Sequence, residues 1–285
     1  GTESMSGLPF FLPKMRRGYR LGHAPLVDAM YKDGFVCPLA DMVMGETAEG
    51  LAQELGITRD AQDAFALRSQ QRAGAAIEAG RFAAELEPVT VETRKGSIVV
   101  EADEHVRPDA TLEKMGRLPA VFASKFEGEG TVTPGNSSGI TDGACMLVLA
   151  SESACEKHGG TPLAFVGEAR QGGVDPRRMG VGPVPACRAL EEATGRRVRD
   201  YDLVELNEAF AAQVLACDAE LEFAHDRLNV NGGALALGHP IGATGARIVT
   251  TMLHELRAQG AEHGLATLCI SGGMGLAVAF DRTGL

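Results

Sequence analysis

Two short stretches of this chain combine a reactive side chain with glycine. "NVNGGALALGHPIGATGARI", residues 229–248, sets His239 between Gly238 and Pro240, with Gly232, Gly233 and Gly242 close by. An imidazole there can take a proton from a thiol or donate a hydrogen bond to an oxyanion, and the glycines let the backbone approach a ligand. The plainer reading is a histidine satisfied by the backbone of its turn. "CISGGMG", residues 269–275, closes a run of apolar residues with Cys269. That thiol can exchange a proton, and the free N–H groups of the glycine turn can hold an anionic oxygen. The plainer reading is a small buried hydrophobe, which we extend to Cys145, Cys155, Cys187 and Cys217. A third candidate is Asn207 in "LNEAFAAQ". It is either an N-cap or an amide that holds a water or a carbonyl oxygen. The glycines do not form a phosphate loop, since "GHPIGATG" matches neither GxxxxGK[ST] nor GxGxxG.

Each candidate needs a strand that ends in a loop, where ligand sites of α/β sheets form. "DLVEL" reads as a strand running into a helix at "AFAAQVLACDAEL", and "RLNVN" as a strand before the His239 loop. "GATGARIVTTMLHELRAQG" reads as a helix with Val249, Leu253 and Leu256 on one face. "LATLCIS" and "GLAVAFD" read as two strands joined by a tight glycine hairpin. Upstream, "PLAFVGEAR" is a strand and "VPACRALEEATG" a helix stopped by Gly195. "MVMGETAEGLAQELGI" and "TRDAQDAFALRSQQRAGAAIEAGRF" are helices, the second capped by Thr58. Residues 88–102 form a strand pair turning at Lys95–Gly96, "CMLVLAS" is an apolar strand, and "ESACEKHG" is a short helix. The first 40 residues, broken by Pro9, Pro13, Pro25 and Pro38, and the charged stretch 103–130 read as irregular. Alternation of strands and helices makes this an α/β chain.

Bulk properties narrow the partners. A chain of 285 residues with 45% apolar content can build one large or two ordinary domains. No apolar run approaches the roughly 18 residues of a membrane helix. A net charge of -11 argues against nucleic acid as the main partner. Six cysteines without a CxxC pair point to free thiols in a reducing, cytoplasmic setting. No metal site is expected. The opening "GTESMSG" is a turn without a preceding strand, and the chain reads as a piece of a longer polypeptide.

Taken together, "NEAFA", "NVNGGALALGHPIGATGARI" and "CISGGMG" resemble the thiolase family, the acetyl-CoA acetyltransferases and 3-ketoacyl-CoA thiolases. "GTESMS", "MGETAEGLA", "RDAQDAFALRSQQRA", "GTVTPGNSSGITDGA" and "MGVGPVPA" extend the resemblance, in family order, over nearly the whole chain. It implies a layered αβαβα fold. Residues 1–8 and 137–158 would close an N-terminal half, 9–136 would be a coenzyme A-binding loop domain, and 160–285 a complete C-terminal half. It implies an acyl-CoA C-acyltransferase that makes or cuts the C–C bond of a 3-ketoacyl-CoA, with coenzyme A as substrate and no permanently bound cofactor. His239 would activate the nucleophile and Cys269 would move the α-carbon proton. Asn207 would fix an oxyanion-hole water, and the backbone N–H of Ser271, where relatives often carry glycine, would serve a second oxyanion hole. Arg107 would meet the adenine and phosphates and Ser138 the pantetheine arm. Phe122, Met179, Ala209 and Phe210 would line the tunnel, unless they are plain core. Lys114 has no assigned role.

The family's nucleophilic cysteine precedes the TESMS turn, and no cysteine here has its context; Cys37 is followed by Pro-Leu-Ala. The expectation is therefore an enzyme active only with an N-terminal segment or companion chain, within a homo- or hetero-oligomer. The alternative is a non-catalytic thiolase-like acyl-CoA or lipid-binding protein. A ketosynthase-like enzyme fits less well, because such enzymes carry a second histidine where this chain has Asn207 and lack the cysteine of the final turn.

Overall fold

A computed structural model describes all 285 residues. Helix α1 (Met44–Leu55) buries Ala48, Leu51 and Ala52 on one face and ends at Gly56, whose φ of 64° is left-handed. Helix α2 (Arg59–Glu78) starts at Thr58, whose hydroxyl accepts the N–H of Ala61. Its buried face is partly polar: Gln62, Asp63, Ser69 and Gln70 are enclosed beside Phe65, Ala66 and Ala73. Strands β1 (Val89–Thr93) and β2 (Gly96–Val100) form the expected antiparallel pair. The charged stretch that follows holds one short helix, α3 (Leu112–Gly116). Helix α4 (Glu152–His158) lies between the cap Ser151 and the left-handed Gly159.

The second half is built on one four-stranded sheet. Strand β3 (Phe165–Gly173) and helix α5 (Pro183–Thr194) precede β4 (Leu203–Leu206) and α6 (Ala211–Leu221). Then come the short α7 (Ala234–Leu237), α8 (Ile241–Gln259), β5 (His263–Ile270) and β6 (Met274–Asp281). The spatial order is β4-β5-β6-β3, with β4 and β5 parallel and the other pairs antiparallel. Successive side chains of a strand point to opposite faces. Here Val204, Leu265 and Ala279 join α5 and α6 in one cluster, while Leu203, Ala266 and Phe280 join α8 in another. Both faces of β4 are covered, so its residues are buried in succession rather than alternately, Glu205 included, whereas β3 is mostly exposed.

Two expected strands are not there. Residues 145–150 are irregular, and only Gly143–Ala144 pairs, with Thr2–Glu3. No strand of these 285 residues lies alongside the apolar run, and Met146, Val148 and Leu149 are 86%, 91% and 77% exposed. "RLNVN" also stays outside the sheet, touching it through a single Leu228–Val204 bridge. Asn229 takes its place: at a left-handed φ of 47°, its side chain accepts the N–H of Leu206 and donates to the Leu206 carbonyl, both at 2.9 Å. One amide thus supplies the two bonds a strand partner would have made.

Candidate active site

Strand β4 ends at Leu206, and Asn207 extends the ladder by one bond, its N–H donating to the Thr267 carbonyl of β5 at 3.0 Å. Helix α6 begins four residues later, preceded by Phe210. The N-cap reading of Asn207 is therefore incorrect, because the carboxamide lies outside the helix. Asn207 is 1% exposed. Its Nδ2 faces His239 Nε2 at 3.4 Å, and its Oδ1 is buried without a partner.

His239 is held at its backbone, where its N–H donates to the Gly139 carbonyl at 2.9 Å. Its ring is bound by side chains and not by the turn, contrary to the plainer reading. Nδ1 lies 2.7 Å from Thr244 Oγ1, and the Thr244 hydroxyl itself donates to the Pro240 carbonyl at 2.9 Å. A hydroxyl has one proton, so Thr244 accepts the Nδ1–H and leaves the lone pair on Nε2, the nitrogen facing Asn207. Burial, reinforced by the positive charge of Arg247, pushes the His239 pKa down to about 4. The ring is thus a neutral base at neutral pH with a fixed tautomer. Thr244 was missed from sequence. Its signal was a hydroxyl in the first turn of the helix that follows the histidine, spaced to bond back to the carbonyl four residues earlier.

Cys269 stands at the carboxyl end of β5, two residues beyond Thr267, so the two share a strand face. It is only partly enclosed along its strand, but its thiol sits deep, and burial pushes the pKa up to about 12. It is a protonated thiol at neutral pH. Ser271, Gly272 and Gly273 make the turn into β6, with φ of 88° and 86° at the two glycines. Adjacent parallel strands thus end at Asn207 and at the Cys269 turn, and Asn207 is bonded both to the Cys269 strand and to His239.

The turn has an unforeseen neighbour in Cys37. Burial raises its thiol pKa, but hydrogen bonds from the backbone of Ala40, Leu39 and Gly272 and from the Ser271 side chain outweigh this and leave it below the usual value. Cys37 is nevertheless 0% exposed. Cys187 and Cys217 lie in the core, where burial raises both thiols, as expected for small hydrophobes. Cys145 and Cys155 are only partly buried, which departs from that expectation.

The remaining candidates are spread over the chain. Ser138 donates its N–H to the Ala209 carbonyl at 3.0 Å, one residue before Gly139 receives His239. Phe122 and Phe210 pack, partly exposed, on the same small cluster of Ala48, Ala52, Val132 and Ala212. Met179 is enclosed at 2% exposure in the stretch Pro176–Val181. Arg107 is exposed, with its N–H donating to Gln70 Oε1 at 2.7 Å. Lys114 is committed to Asp109, bonding its carbonyl and its carboxylate. Glu208, beside Asn207, is a further residue the sequence reading passed over. Its enclosed carboxylate accepts Ser69 Oγ–H at 2.6 Å, Asn229 Nδ2–H at 2.9 Å and the Leu235 N–H at 3.2 Å. Gly233 must be glycine here, since a Cβ would stand 2.3 Å from Glu208 Cδ.

Family models match both halves of the chain: the thiolase N-terminal domain over residues 1–153 and the thiolase C-terminal domain over residues 160–282. The chain belongs to the thiolase family. This thiolase is 50% identical over 284 residues to an acetyl-CoA acetyltransferase of Escherichia coli (strain K12), covering 99% of the chain and 71% of the relative. It is 49% identical over 289 residues to a beta-ketoadipyl-CoA thiolase of Pseudomonas putida, with the same coverage. Its fold follows the Bacillus anthracis acetyl-CoA acetyltransferase at a TM-score of 0.94 and 43% identity, covering 99% of this chain and 70% of that one. It follows human mitochondrial 3-ketoacyl-CoA thiolase in complex with CoA at 0.92 and 43% identity, covering 99% and 69%. The layered α/β thiolase fold expected from sequence is thus the fold of this chain. The N-terminal domain match over residues 1–153 gives no support to the expectation of a missing N-terminal segment. No helix of this thiolase is long and apolar enough to cross a membrane.

Proposed function

We propose that this thiolase is an acetyl-CoA C-acyltransferase in which His239, Cys269, Asn207 and Ser271 act on a 3-ketoacyl-CoA, and that the acyl-accepting thiol is none of its own six cysteines. The observation that carries the reading is the fixed tautomer of His239, with Nδ1–H spent on Thr244 and the lone pair left on Nε2, which faces Asn207 Nδ2 at 3.4 Å. Such a ring takes the proton of an incoming thiol. In thiolysis the resulting thiolate attacks the 3-keto carbon. The C2–C3 bond breaks, its electron pair stays on C2, and Cys269 S–H protonates that carbon, releasing acetyl-CoA and leaving the shortened acyl group on the enzyme thiol. Coenzyme A then gives its thiol proton to the Cys269 thiolate and attacks the acyl thioester. His239 returns its proton to the departing enzyme thiol, and every group is restored. Asn207, through a water, and the Ser271 N–H carry the negative oxygen of the two halves of the cycle. Arg107, in a loop domain over residues 9–136, and Ser138 grip the coenzyme, and Phe122, Met179, Ala209 and Phe210 line its path.

Placement of the acyl-accepting thiol outside these residues is supported by the cysteines themselves. Cys37 is closed off from any thioester, Cys187 and Cys217 are in the core, and Cys269 holds its proton too tightly. Cys145 faces Thr250 at 3.2 Å, and Cys155 rides on α4. Mixing the chain with acetoacetyl-CoA and coenzyme A is expected to give no thiolysis. Adding a polypeptide that carries the nucleophile segment of a relative is expected to give it. Turnover by the chain alone overturns the placement of the thiol, restored turnover that survives Cys269→Ala removes Cys269 from the proton transfer, and acyl-CoA binding without restored turnover favours a binding protein over a catalyst.

A further inference from the structure

Helix α2 buries two polar side chains in succession, and both reach across to the catalytic turn. Ser69 and Gln70 are 2% and 7% exposed. Ser69 donates to Glu208 and accepts the Gly233 N–H at 3.0 Å. Gln70 uses both ends of its amide: Nε2 donates to the Leu235 carbonyl at 3.0 Å, and Oε1 accepts the Arg107 N–H at 2.7 Å. His105, two residues before Arg107, faces the next carbonyl, with Nδ1 at 2.9 Å from Ala236 O. A carbonyl only accepts, so Nδ1 carries the proton there. The Nε2 edge of the His105 ring also lies against Gly139, where a Cβ would come within 1.9 Å of Nε2. Gly139 is the residue whose carbonyl holds the His239 N–H.

The loop 105–107 is therefore tied to consecutive carbonyls of α7, and the chain reaches His239 three residues after Ala236. An amide is required at Gln70 because one neighbour is an acceptor and the other a donor. A glutamate satisfies only Arg107, and a methionine of similar length satisfies neither.

We propose that Gln70 and His105 are positioning residues that couple the coenzyme-gripping loop at Arg107 to the setting of the His239 ring. The inference rests on the assignment of Arg107 to the coenzyme's nucleotide end and of His239 to the base. Occupancy of Arg107 by an adenosine bisphosphate pulls on the 105–107 loop. The pull passes through the Gln70 amide and the His105 ring to the carbonyls of Leu235 and Ala236, and on to the turn they support. The reciprocal also holds, because two sites that share one element bias each other equally.

The test uses the whole chain, labelled with 15N at histidine, and adenosine 3′,5′-bisphosphate as probe. The probe carries the adenine and phosphates of coenzyme A but no pantetheine arm to touch the turn directly. In the wild type the ring nitrogen signals of His239, assigned with His239→Gln, are expected to move in proportion to probe occupancy. Gln70→Glu keeps the Arg107 bond and loses the Leu235 bond, so the probe binds as before and the His239 response disappears. Gln70→Met loses both bonds, weakens the probe about fivefold or more, and abolishes the response. Should either Gln70 variant fold poorly by thermal melting, His105→Phe, which keeps the ring against Gly139 without its hydrogen bond, is expected to diminish the response by itself. The proposal is overturned if the probe saturates the wild type without moving His239, or if the variants respond as the wild type does. If neither the probe nor coenzyme A binds the wild type, the coenzyme assignment of Arg107 is wrong and the coupling falls with it.

Discussion

Two apolar runs of this thiolase look alike in sequence and end up in opposite environments. "LVEL" becomes β4, with every residue at 3% exposure or less. "CMLVLA" stays irregular, with Met146, Val148 and Leu149 open to solvent. The difference is not composition. Residues 203–206 pair with β5 on one side, and their side chains meet α8 on one face and α5 and α6 on the other. Beyond Cys145, which bonds Gly1, residues 146–150 have neither a bonded neighbour nor a covering layer. An apolar run asks for burial, and whether it becomes a strand depends on what stands beside it. Two of the catalytic candidates, Asn207 and Cys269, lie at the ends of the wrapped run and its neighbour.

The sharpest way to break this contrast is to mutate both runs. Leu206→Ala is expected to cost about 2–5 kcal/mol by urea unfolding, the usual range for an emptied core site. Val148→Asp is expected to shift stability by no more than about 0.5 kcal/mol. Equal costs would mean that residues 145–150 are covered after all.

Acid should discriminate the wrapped strand ends next. The folded His239 pKa lies near 4, below its ordinary value, so between about pH 6.5 and 4 the unfolded chain binds a proton that the folded chain refuses. Stability therefore falls as pH drops through that window, by up to about 3 kcal/mol. Burial acts oppositely on carboxylates, holding Glu85 near 7 and Glu205 near 8. Their contribution is full below the ordinary glutamate range and is lost as pH rises through those values. The difference between wild-type and His239→Asn pH–stability curves isolates the histidine, and a flat difference contradicts its burial.

Thr244 tests whether order at the strand ends serves chemistry. With the acyl-accepting thiol supplied, Thr244→Val should lower kcat about 100-fold, the low end of what a misdirected base costs, while Thr244→Ser should stay within a fewfold of wild type. Wild-type turnover by Thr244→Val would show that the hydroxyl does not set the tautomer the reaction uses.

The smallest effect separates two thiols at one turn. Alkylation of Cys269 by iodoacetamide should rise about tenfold per pH unit from pH 7 to 10 without levelling, because its thiol titrates only near 12. Cys37, although more acidic than an ordinary thiol, should stay unlabelled until the protein unfolds, because nothing reaches it. Peptide mapping by mass spectrometry reads both.

Much of the site was legible beforehand. His239, Asn207 and Cys269 stood out because reactive types beside glycine and at strand ends are few, and the structure sets Asn207 and Cys269 at the ends of β4 and β5, with the His239 ring facing Asn207 from the turn between α7 and α8. Thr244 carried a local signal that was passed over, a hydroxyl one turn after the histidine. Glu208 and Gln70 were not legible. Glutamate and glutamine occur throughout the surface of any helix, and nothing local marks the one copy whose partner lies up to 165 residues away. The cap alternative for Asn207 arose because a polar residue between strand and helix is usually one, and the structure removes that alternative.

The sequence alone determined the helices with their caps, the glycine turns at positive φ, and the candidate proton carriers, because these depend on backbone sterics and on chemistry within a few residues. Tertiary structure decided which apolar run entered the sheet, that the His239 ring is buried and its pKa lowered, and why Cys37 and Cys269 differ. Each of these is fixed by desolvation and by hydrogen bonds between residues far apart in the chain, which exist only once the layers have closed around them.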